Sequence, residues 1–272
     1  MTPGGDSSSD RNGTERFRWL ADRAVPVGAT LGLLALWETA ARTSILPTEF
    51  PPFTEVVGWL AGQVLGGSFW RPVGDTVTHW FGGLVIGGVP GIILGVVLGL
   101  VSPLERLLRI PLEFLRPIPS IVYLPLLILV LGSRSQTAIV LAAVGAFWPM
   151  LFQTFYGVRS VDMHGVETGR VFGLGSRQIL WNITLPSVLP HVAVGLRIAS
   201  SLALVVAISA ELVGGVPGLG TEILGATQNG LYDAAYGLVI VVGVLGLLLN
   251  TALEQTEKRL LRWHVPHRVV EL

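Results

Sequence analysis

Long apolar stretches and short charged stretches alternate along most of this chain. Six of the apolar stretches are long enough, and carry few enough charges, to cross a bilayer as helices. They cover residues 24–41, 76–101, 118–132, 136–158, 187–213 and 234–256. The third is short and opens with Pro117 and Pro119, so its limits are the hardest to place. The pattern predicts an all-α integral membrane protein with six transmembrane helices.

The rest of the chain divides around these stretches. Residues 1–18, rich in Gly, Ser, Asp and Asn at their start, are predicted to be a disordered N-terminus. Residues 19–263 are the predicted transmembrane domain, and residues 264–272 a short tail. Arg16, Arg18 and Arg23 precede the first apolar stretch without an obvious cleavage site. We therefore expect that stretch to remain as a membrane anchor and not to be a signal peptide.

Basic residues predict the orientation of the chain in the membrane. If both termini face the cytoplasm, fourteen cationic side chains lie on the inner side and three on the outer side. The inner ones are Arg11, Arg16, Arg18, Arg23, Arg106, Arg109, Arg116, Arg159, Arg170, Arg177, Lys258, Arg259, Arg262 and Arg268, and the outer ones are Arg42, Arg71 and Arg134. Such a bias is typical of the positive-inside rule. It predicts a multi-pass protein of the cytoplasmic membrane with both termini in the cytoplasm.

Composition excludes several classes of function. Of the 272 residues, 51% are hydrophobic and 13% charged, against about 25% charged in a typical soluble domain. The net charge is zero and no basic block is present, so a nucleic-acid partner is not expected. Without cysteine there can be no disulfide or thiolate ligand, and the five histidines show no spacing typical of a metal site. We expect no metal or cofactor in this chain.

Glycines recur every four residues in the second apolar stretch. They are Gly83, Gly87, Gly91, Gly95 and Gly99. Small residues at this spacing let two helix backbones approach closely within a membrane. The stripe predicts helix packing, within one subunit in preference to a contact between two subunits.

Two charged residues fall within the fifth apolar stretch. Arg197 and Glu211 are fourteen positions apart, which is about 21 Å along a regular helix, so they cannot pair directly. Charges at membrane depth are costly and often mark a transport path. Arg197 and Glu211 are therefore candidates for the translocation path, although structural pairing or snorkelling of Arg197 towards the cytoplasm is the favoured reading.

The connection 160–186, between the fourth and fifth stretches, has the pattern of a compact helical element. Asp162 can cap a first short helix, Gly173 and Gly175 can form a turn, and Pro186 is expected to end or redirect a second short helix. The predicted orientation places this element in the cytoplasm, where it is suited to docking a soluble partner.

The same connection resembles the signature of binding-protein-dependent importer permeases, in which Glu-Ala-Ala is followed by Gly and then by Ile-x-Leu-Pro. Glu167, Gly173, Ile183, Leu185 and Pro186 match at the same spacing, whereas Thr168 and Gly169 replace the two alanines. The resemblance implies a type I importer fold of the ATP-binding-cassette (ABC) class. It also implies that this element is the coupling helix that sits in a groove of the ATPase subunit. A glycine in a helix costs about 1 kcal/mol relative to alanine, so position 169 is expected to weaken the first short helix.

Further similarity covers most of the chain from about Leu46 onward. The runs 114–119, 145–149, 157–162 and 195–199 are similar to the branch that imports nitrate, taurine and alkanesulfonates. The resemblance implies import of a small anionic solute, organic or inorganic. It also implies a homodimer of this chain, two copies of an ABC ATPase that use ATP and Mg²⁺, and an extracytoplasmic solute-binding protein.

Three other functions are considered beside this one. Related permeases carry vitamin precursors of the pyrimidine or thiamine type, so the solute stays open. An ion-coupled secondary transporter is the alternative from another class, although no repeat between the two halves favours it. A non-transporting receptor or scaffold is the third.

The chain has one lysine, Lys258, without a preceding glycine-rich phosphate loop. We therefore expect a transport subunit without an ATPase site of its own.

Overall fold

The computed structural model describes residues 25–26, 28–43 and 47–261, and within them every regular element is helical. The predicted disordered N-terminus 1–18 and the tail 264–272 lie outside the described residues. In chain order the helices are α1 (28–42), α2 (Phe53–Val64), α3 (Trp70–Leu100), α4 (Ser102–Leu115), α5 (Leu124–Leu131), α6 (Ser135–Arg159), α7 (Met163–Val171), α8 (Ser176–Ile179), α9 (Leu185–Gly214), α10 (Leu219–Gln228) and α11 (Tyr232–Leu260).

Four of the predicted membrane spans are present as long apolar helices. They are α3, α6, α9 and α11, and each begins and ends close to its predicted limits. The predicted third span, 118–132, is one arm of a bent pair: α4, which was not predicted, meets the segment Ser120–Leu131 at 81°. The described part of the chain therefore gives four spans, or five with the bent pair. The predicted first span, 24–41, begins outside the described residues and continues in α1.

The bend has its origin in the sequence. Pro117 and Pro119 cannot donate backbone hydrogen bonds, and each disfavours helical backbone at the residue before it. A 3₁₀ turn over Ser120–Tyr123 follows, and then α5 with only eight residues. Together these twelve residues reach about 18 Å along a helix axis, short of the hydrocarbon core of about 30 Å.

The glycine stripe of α3 packs against α6 of the same chain. The two helices run in the same direction, and their contacts advance together from Gly83 beside Ala142 to Gly99 beside Val158. A Cβ atom at any of the five stripe glycines would lie within 3.0 Å of α6, at 2.6 Å from the Leu151 carbonyl oxygen in the case of Gly95. Lipid gives helices little hydrophobic reason to associate, so the van der Waals contacts made by this close approach of the two backbones stabilise the helix pair instead.

Helix α9 completes the centre of the bundle. Gly157 of α6 lies against His191 of α9, and Gly195 of α9 lies against Gln153 of α6. The core joins these three helices through mostly small side chains, with the Trp80 indole donating to the Ser200 carbonyl oxygen at 3.1 Å. The core residues are Trp80, Leu84, Ala142, Ala146, Met150, Ala199, Ala203, Leu204 and Ala207.

The connections lie at two opposite ends of this bundle. At one end, α6 leads into α7 and α8 and returns as α9; we call this the loop end. At the other, α9 leads into α10 and returns as α11; we call this the α10 end. The first residues of α3 lie at the α10 end, where Thr76 contacts Glu211 and Leu219. Its last residues lie at the loop end, where Gly99 and Leu100 line one cavity together with Met163.

Candidate functional site

The first helix of the connection 160–186 begins where the sequence predicts. The Asp162 side chain accepts a hydrogen bond at 2.9 Å from the backbone N–H of His164, which caps α7. The helix ends at Val171, and Gly173 follows with φ +81°. That left-handed backbone lets the N–H of Leu174 reach the carbonyl oxygen of Gly169 at 3.0 Å. Asp162 and Gly173 thus fix both ends of α7.

The second half of the connection differs from the prediction at Pro186. The backbone N–H of Gly175 donates to Gln178 Oε1 at 2.9 Å, and α8 starts there. The chain then widens into a π-helical segment, Leu180–Thr184, and continues directly into α9. The prediction that Pro186 ends or redirects a separate helix is wrong. Pro186 lies in the first turn of α9, directly after the π-helical segment. Proline is tolerated in the first turn of a helix because its missing N–H is not needed there, so the helix continues without a break.

The signature residues divide into an inner and an outer group. Gly169 is buried and faces Ile183, whose Cδ1 atom would lie 3.0 Å from a Cβ at position 169. Leu185 and Pro186 are half-buried. The remaining signature positions are exposed to solvent: Glu167, Thr168 and Gly173. Gly169 therefore lets α7 pack closely on the segment that carries Ile183.

Large apolar side chains protrude from this connection. Val171 is 86% exposed and Phe172 81% exposed at the end of α7, with Met163 at 58% and Trp181 at 62%. We call these four residues the loop patch. Apolar groups that the chain leaves in contact with water are typical of a protein interface. The loop patch can therefore bind a partner that supplies an apolar groove.

Beneath the loop patch, the connection rests on the ends of the spanning helices. A cavity of about 680 Å³ separates α7 and α8 from the ends of α3 and α6. Arg159, the last residue of α6, pairs with Glu105 of α4 at 2.7 Å. The Ser160 hydroxyl donates to the Gly157 carbonyl oxygen at 3.0 Å and lies 3.3 Å from His191 Nε2. Through Ser160, the start of the connection contacts both α6 and α9.

Glu211 is fully buried at the α10 end and takes part in a polar cluster. Its Oε2 atom accepts hydrogen bonds from the Thr76 hydroxyl and from the Gly220 N–H, both at 2.9 Å. Its Oε1 atom lies 2.8 Å from His79 Nδ1. Thr76 in turn accepts from the N–H of Leu219 at 3.0 Å. This Glu211 cluster joins α3, α9 and α10 and satisfies a carboxylate that would otherwise be costly to bury.

Arg197 and Glu211 are not brought together by the structure. Arg197 of α9 pairs with Glu257 of α11 at 2.6 Å, and its side chain is about half exposed. Both residues therefore have partners within the chain. Thr76 and His79 are the partners of Glu211 that sequence reasoning missed. A histidine inside an apolar span is a signal that could have singled out His79.

Three comparisons with known proteins place these features in a family context. The family model described as "Binding-protein-dependent transport system inner membrane component" matches residues 91–262. The chain is 31% identical over 255 residues to the putative aliphatic sulfonates transport permease of Escherichia coli K12, covering 93% of this chain and 97% of that one. It is 28% identical over 257 residues to the taurine transport system permease of the same organism, covering 92% and 94%.

A solved structure shows the same fold. A chain of the MetNI methionine ABC transporter, in an inward-facing crystal form, superposes with a TM-score of 0.58 at 23% identity. The match covers 74% of this chain and 96% of that one. The predicted all-α fold of a type I importer permease is confirmed.

Proposed function

Since the chain belongs to the family of binding-protein-dependent transport system inner membrane components, we propose that it carries a small anion into the cell with energy from a separate ATPase subunit. Membership makes it the permease subunit of an ABC importer. The observation that carries the proposal is the loop patch, apolar and exposed on a connection whose ends are fixed by Asp162 and Gly173.

The loop patch is suited to docking an ATPase. Val171 and Phe172 lie next to Gly173, so the turn that ends α7 also presents the two most exposed apolar side chains of the connection. Glu167 and Thr168 add exposed polar groups on the same short helix. The partner would hold ATP and Mg²⁺, and its closure on ATP binding would push α7 against the ends of α3, α6 and α9. This push would alternate access between the two sides of the membrane.

The proposed orientation follows the basic residues. Arg159, Arg170 and Arg177 lie in or beside the connection, and Arg106 and Arg109 lie on α4 near the same end. The loop end therefore faces the cytoplasm and the α10 end faces outward, where a solute-binding protein would deliver the solute. Two copies of this chain would form the path, each docking one ATPase subunit.

The proposed solute is a small sulfonate or a related anion. Two relatives that align over nearly their whole length are named for aliphatic sulfonates and for taurine, and both kinds of molecule carry a sulfonate group. We propose the solute class from the names of these two relatives and from the family's dependence on a solute-binding protein.

Uptake into proteoliposomes tests the proposal. The chain is reconstituted with its co-purified ATPase and solute-binding protein, and labelled ethanesulfonate is the probe. We expect uptake that requires ATP and is unaffected by an ionophore. Uptake that survives ATP depletion but collapses with the ionophore would show an ion-coupled transporter instead. Uptake of a pyrimidine vitamin precursor in place of ethanesulfonate would overturn the proposed solute class alone.

A further inference from the structure

A groove separate from both the loop patch and the Glu211 cluster opens along the side of the bundle. It has a volume of about 620 Å³ and lies between the bend after α4, one face of α6 and one face of α9. Its walls include Pro117, Ser120, Trp148, Phe152, Gln153 and Ser209.

The groove lies at the depth of the spanning helices. On α6 it extends from Gly145 to Tyr156, and on α9 from Ile198 to Ser209. Each of these stretches is about 16 Å long at the rise of an α-helix. Because both stretches lie inside long apolar helices, most of the groove falls within the thickness of a bilayer.

Polar side chains line this groove at membrane depth, and one of them, Ser209, also donates its hydroxyl to the Val205 carbonyl oxygen at 2.7 Å. Ser120, Gln153 and Ser209 are half-buried and contribute to its walls. Polar residues at membrane depth usually face the interior of a bundle or a water-filled cavity. Their presence on three different segments favours a wet groove over a surface covered by lipid tails.

Arg116 is the only charged residue among those that line the groove. Its guanidinium carbon lies 4.6 Å from the centre of the Phe152 ring, an arrangement that holds a cation over an aromatic face. The neighbouring arginines Arg109 and Arg159 pair with Glu113 and Glu105. Arg116 takes part in none of the ion pairs that the described residues form. A single cation between walls of low dielectric attracts anions.

We propose that this groove is where the translocated solute contacts the permease, and that it takes a small organic anion. The charged head, a sulfonate or carboxylate, would approach Arg116, while the apolar part would lie against Trp148 and Phe152. The inference rests on the proposed function and deepens it, since it assigns substrate contacts to residues that neither the signature nor the spans single out.

Thiol labelling tests the groove directly, because the chain has no cysteine of its own. Ser209→Cys is treated in membranes with an anionic and a cationic methanethiosulfonate, the ethylsulfonate and the ethyltrimethylammonium reagents. The ratio of their rates is compared with the ratio for a free thiol. We expect the anionic reagent to be favoured, and Arg116→Gln to lower that preference about a hundredfold or more. One unit charge at about 10 Å and an effective dielectric constant of about 20 changes the rate of each reagent at least about tenfold, and it does so in opposite directions for the anion and the cation.

Two further variants control for charge and for folding. Arg106→Gln removes a similar charge from α4 at a position outside the groove, and it should leave the preference unchanged. Arg116→Lys keeps a cation in place and should keep most of the preference. If labelling of Ser209→Cys is slow with both reagents, the groove is filled by lipid and the proposal is overturned. An unchanged ratio of labelling rates in Arg116→Gln also overturns the proposal. That result is expected if Arg116 binds a lipid headgroup outside the groove.

The labelling experiment needs neither the ATPase nor the binding protein. A failure of ATP-driven uptake would therefore count against the proposed function, and a missing anion preference would count against the groove. In the reconstituted importer, Arg116→Gln should raise the KM for ethanesulfonate uptake while the ATPase still co-purifies with it. A variant that transports as well as the unmodified chain would contradict the assignment of Arg116.

Discussion

The two ends of the helical bundle use their side chains in opposite ways. At the α10 end, the Glu211 carboxylate is fully buried and both of its oxygens are bonded within the chain, to Thr76, His79 and Gly220. At the loop end, Val171 and Phe172 are more than four-fifths exposed. One end buries a charged group completely, and the other carries apolar side chains that the connection leaves almost fully exposed.

This difference separates residues that hold the fold from residues that we propose to dock the ATPase. Substitutions in the Glu211 cluster or in the α3–α6 contact should lower the free energy of unfolding. Substitutions on the loop patch should leave that free energy nearly unchanged and weaken ATPase binding. Substitutions at Gly169 and Gly173 should have intermediate effects, because these two glycines shape the connection without belonging to the core of the helical bundle.

Replacing Glu211 should have the largest effect on stability. Glu211→Ala leaves His79, Thr76 and the Gly220 N–H without their buried partner. Removing one member of a buried pair typically costs about 3–5 kcal/mol. Thermal unfolding of the detergent-purified protein should show this loss. The control is Glu222→Ala on α10, where the side chain is exposed; an equal loss there would contradict a specific role for the Glu211 cluster.

The α3–α6 contact should be the next most sensitive region. At Gly87, an added Cβ would meet the carbonyl oxygen of Ala143, which is backbone and cannot rotate away. Gly87→Ala should therefore cost about 1–3 kcal/mol, the usual range for overpacking. Gly243→Ala on α11, where a Cβ meets nothing within 4 Å, should be neutral or slightly stabilising. Equal melting temperatures for the two variants would contradict the close packing of α3 and α6.

A bulky residue at Gly173 should have a moderate effect on stability and a larger one on coupling. Gly173→Val forces a branched side chain into φ +81°, at a cost of about 1–2 kcal/mol. The end of α7 would then turn Phe172 away from its present direction. Gly173→Asn should retain the turn, because asparagine tolerates this backbone. Uptake and ATPase co-purification should therefore fall with valine and persist with asparagine; coupling that is intact with valine would contradict the role of the turn.

Restoring the alanine of the family signature at position 169 should have the smallest effect. Gly169→Ala improves the helix by up to about 1 kcal/mol, while the new Cβ lies 3.0 Å from the flexible end of Ile183. These effects oppose each other, so we expect a gain below about 1 kcal/mol with ATPase binding unchanged. A clear loss of stability would show that Ile183 cannot shift.

The long spans could be predicted from sequence because their signal is local. Uninterrupted apolar length is enough to place α3, α6, α9 and α11 within a few residues. The helix α4 was missed because Pro103, Pro111 and its charges resemble a loop, although Leu104, Leu108 and Leu112 recur at helical spacing. The helix α10 was missed because Gly218, Gly220 and Gly225 obscure it.

Contacts between distant segments were beyond the reach of sequence patterns. Glu211 stands out as a charge within a span, but its partners Thr76 and His79 lie more than 130 positions away. The local sequence can single out His79 as a histidine within an apolar span, but it does not show that His79 contacts Glu211, and it does not distinguish Thr76 from other polar residues. The same holds for the groove, where Arg116 meets Phe152 only because the bend after α4 returns the chain to α6. The connection 160–186, for which docking is proposed, was singled out because its signature lies within one short stretch of sequence.

The most direct test of the docking role is recovery of the ATPase subunit with a variant of the loop patch. Phe172→Asp and Leu231→Asp each place a carboxylate at an exposed apolar position, one at the loop end and one at the α10 end, where Leu231 is 55% exposed. Tagged chains are purified in mild detergent, and the ATPase is quantified by mass spectrometry. Phe172→Asp should recover less than about a tenth of the ATPase, since a central apolar anchor is worth about 2 kcal/mol or more, while Leu231→Asp recovers it fully. Undiminished ATPase recovery with Phe172→Asp would contradict docking through the loop patch.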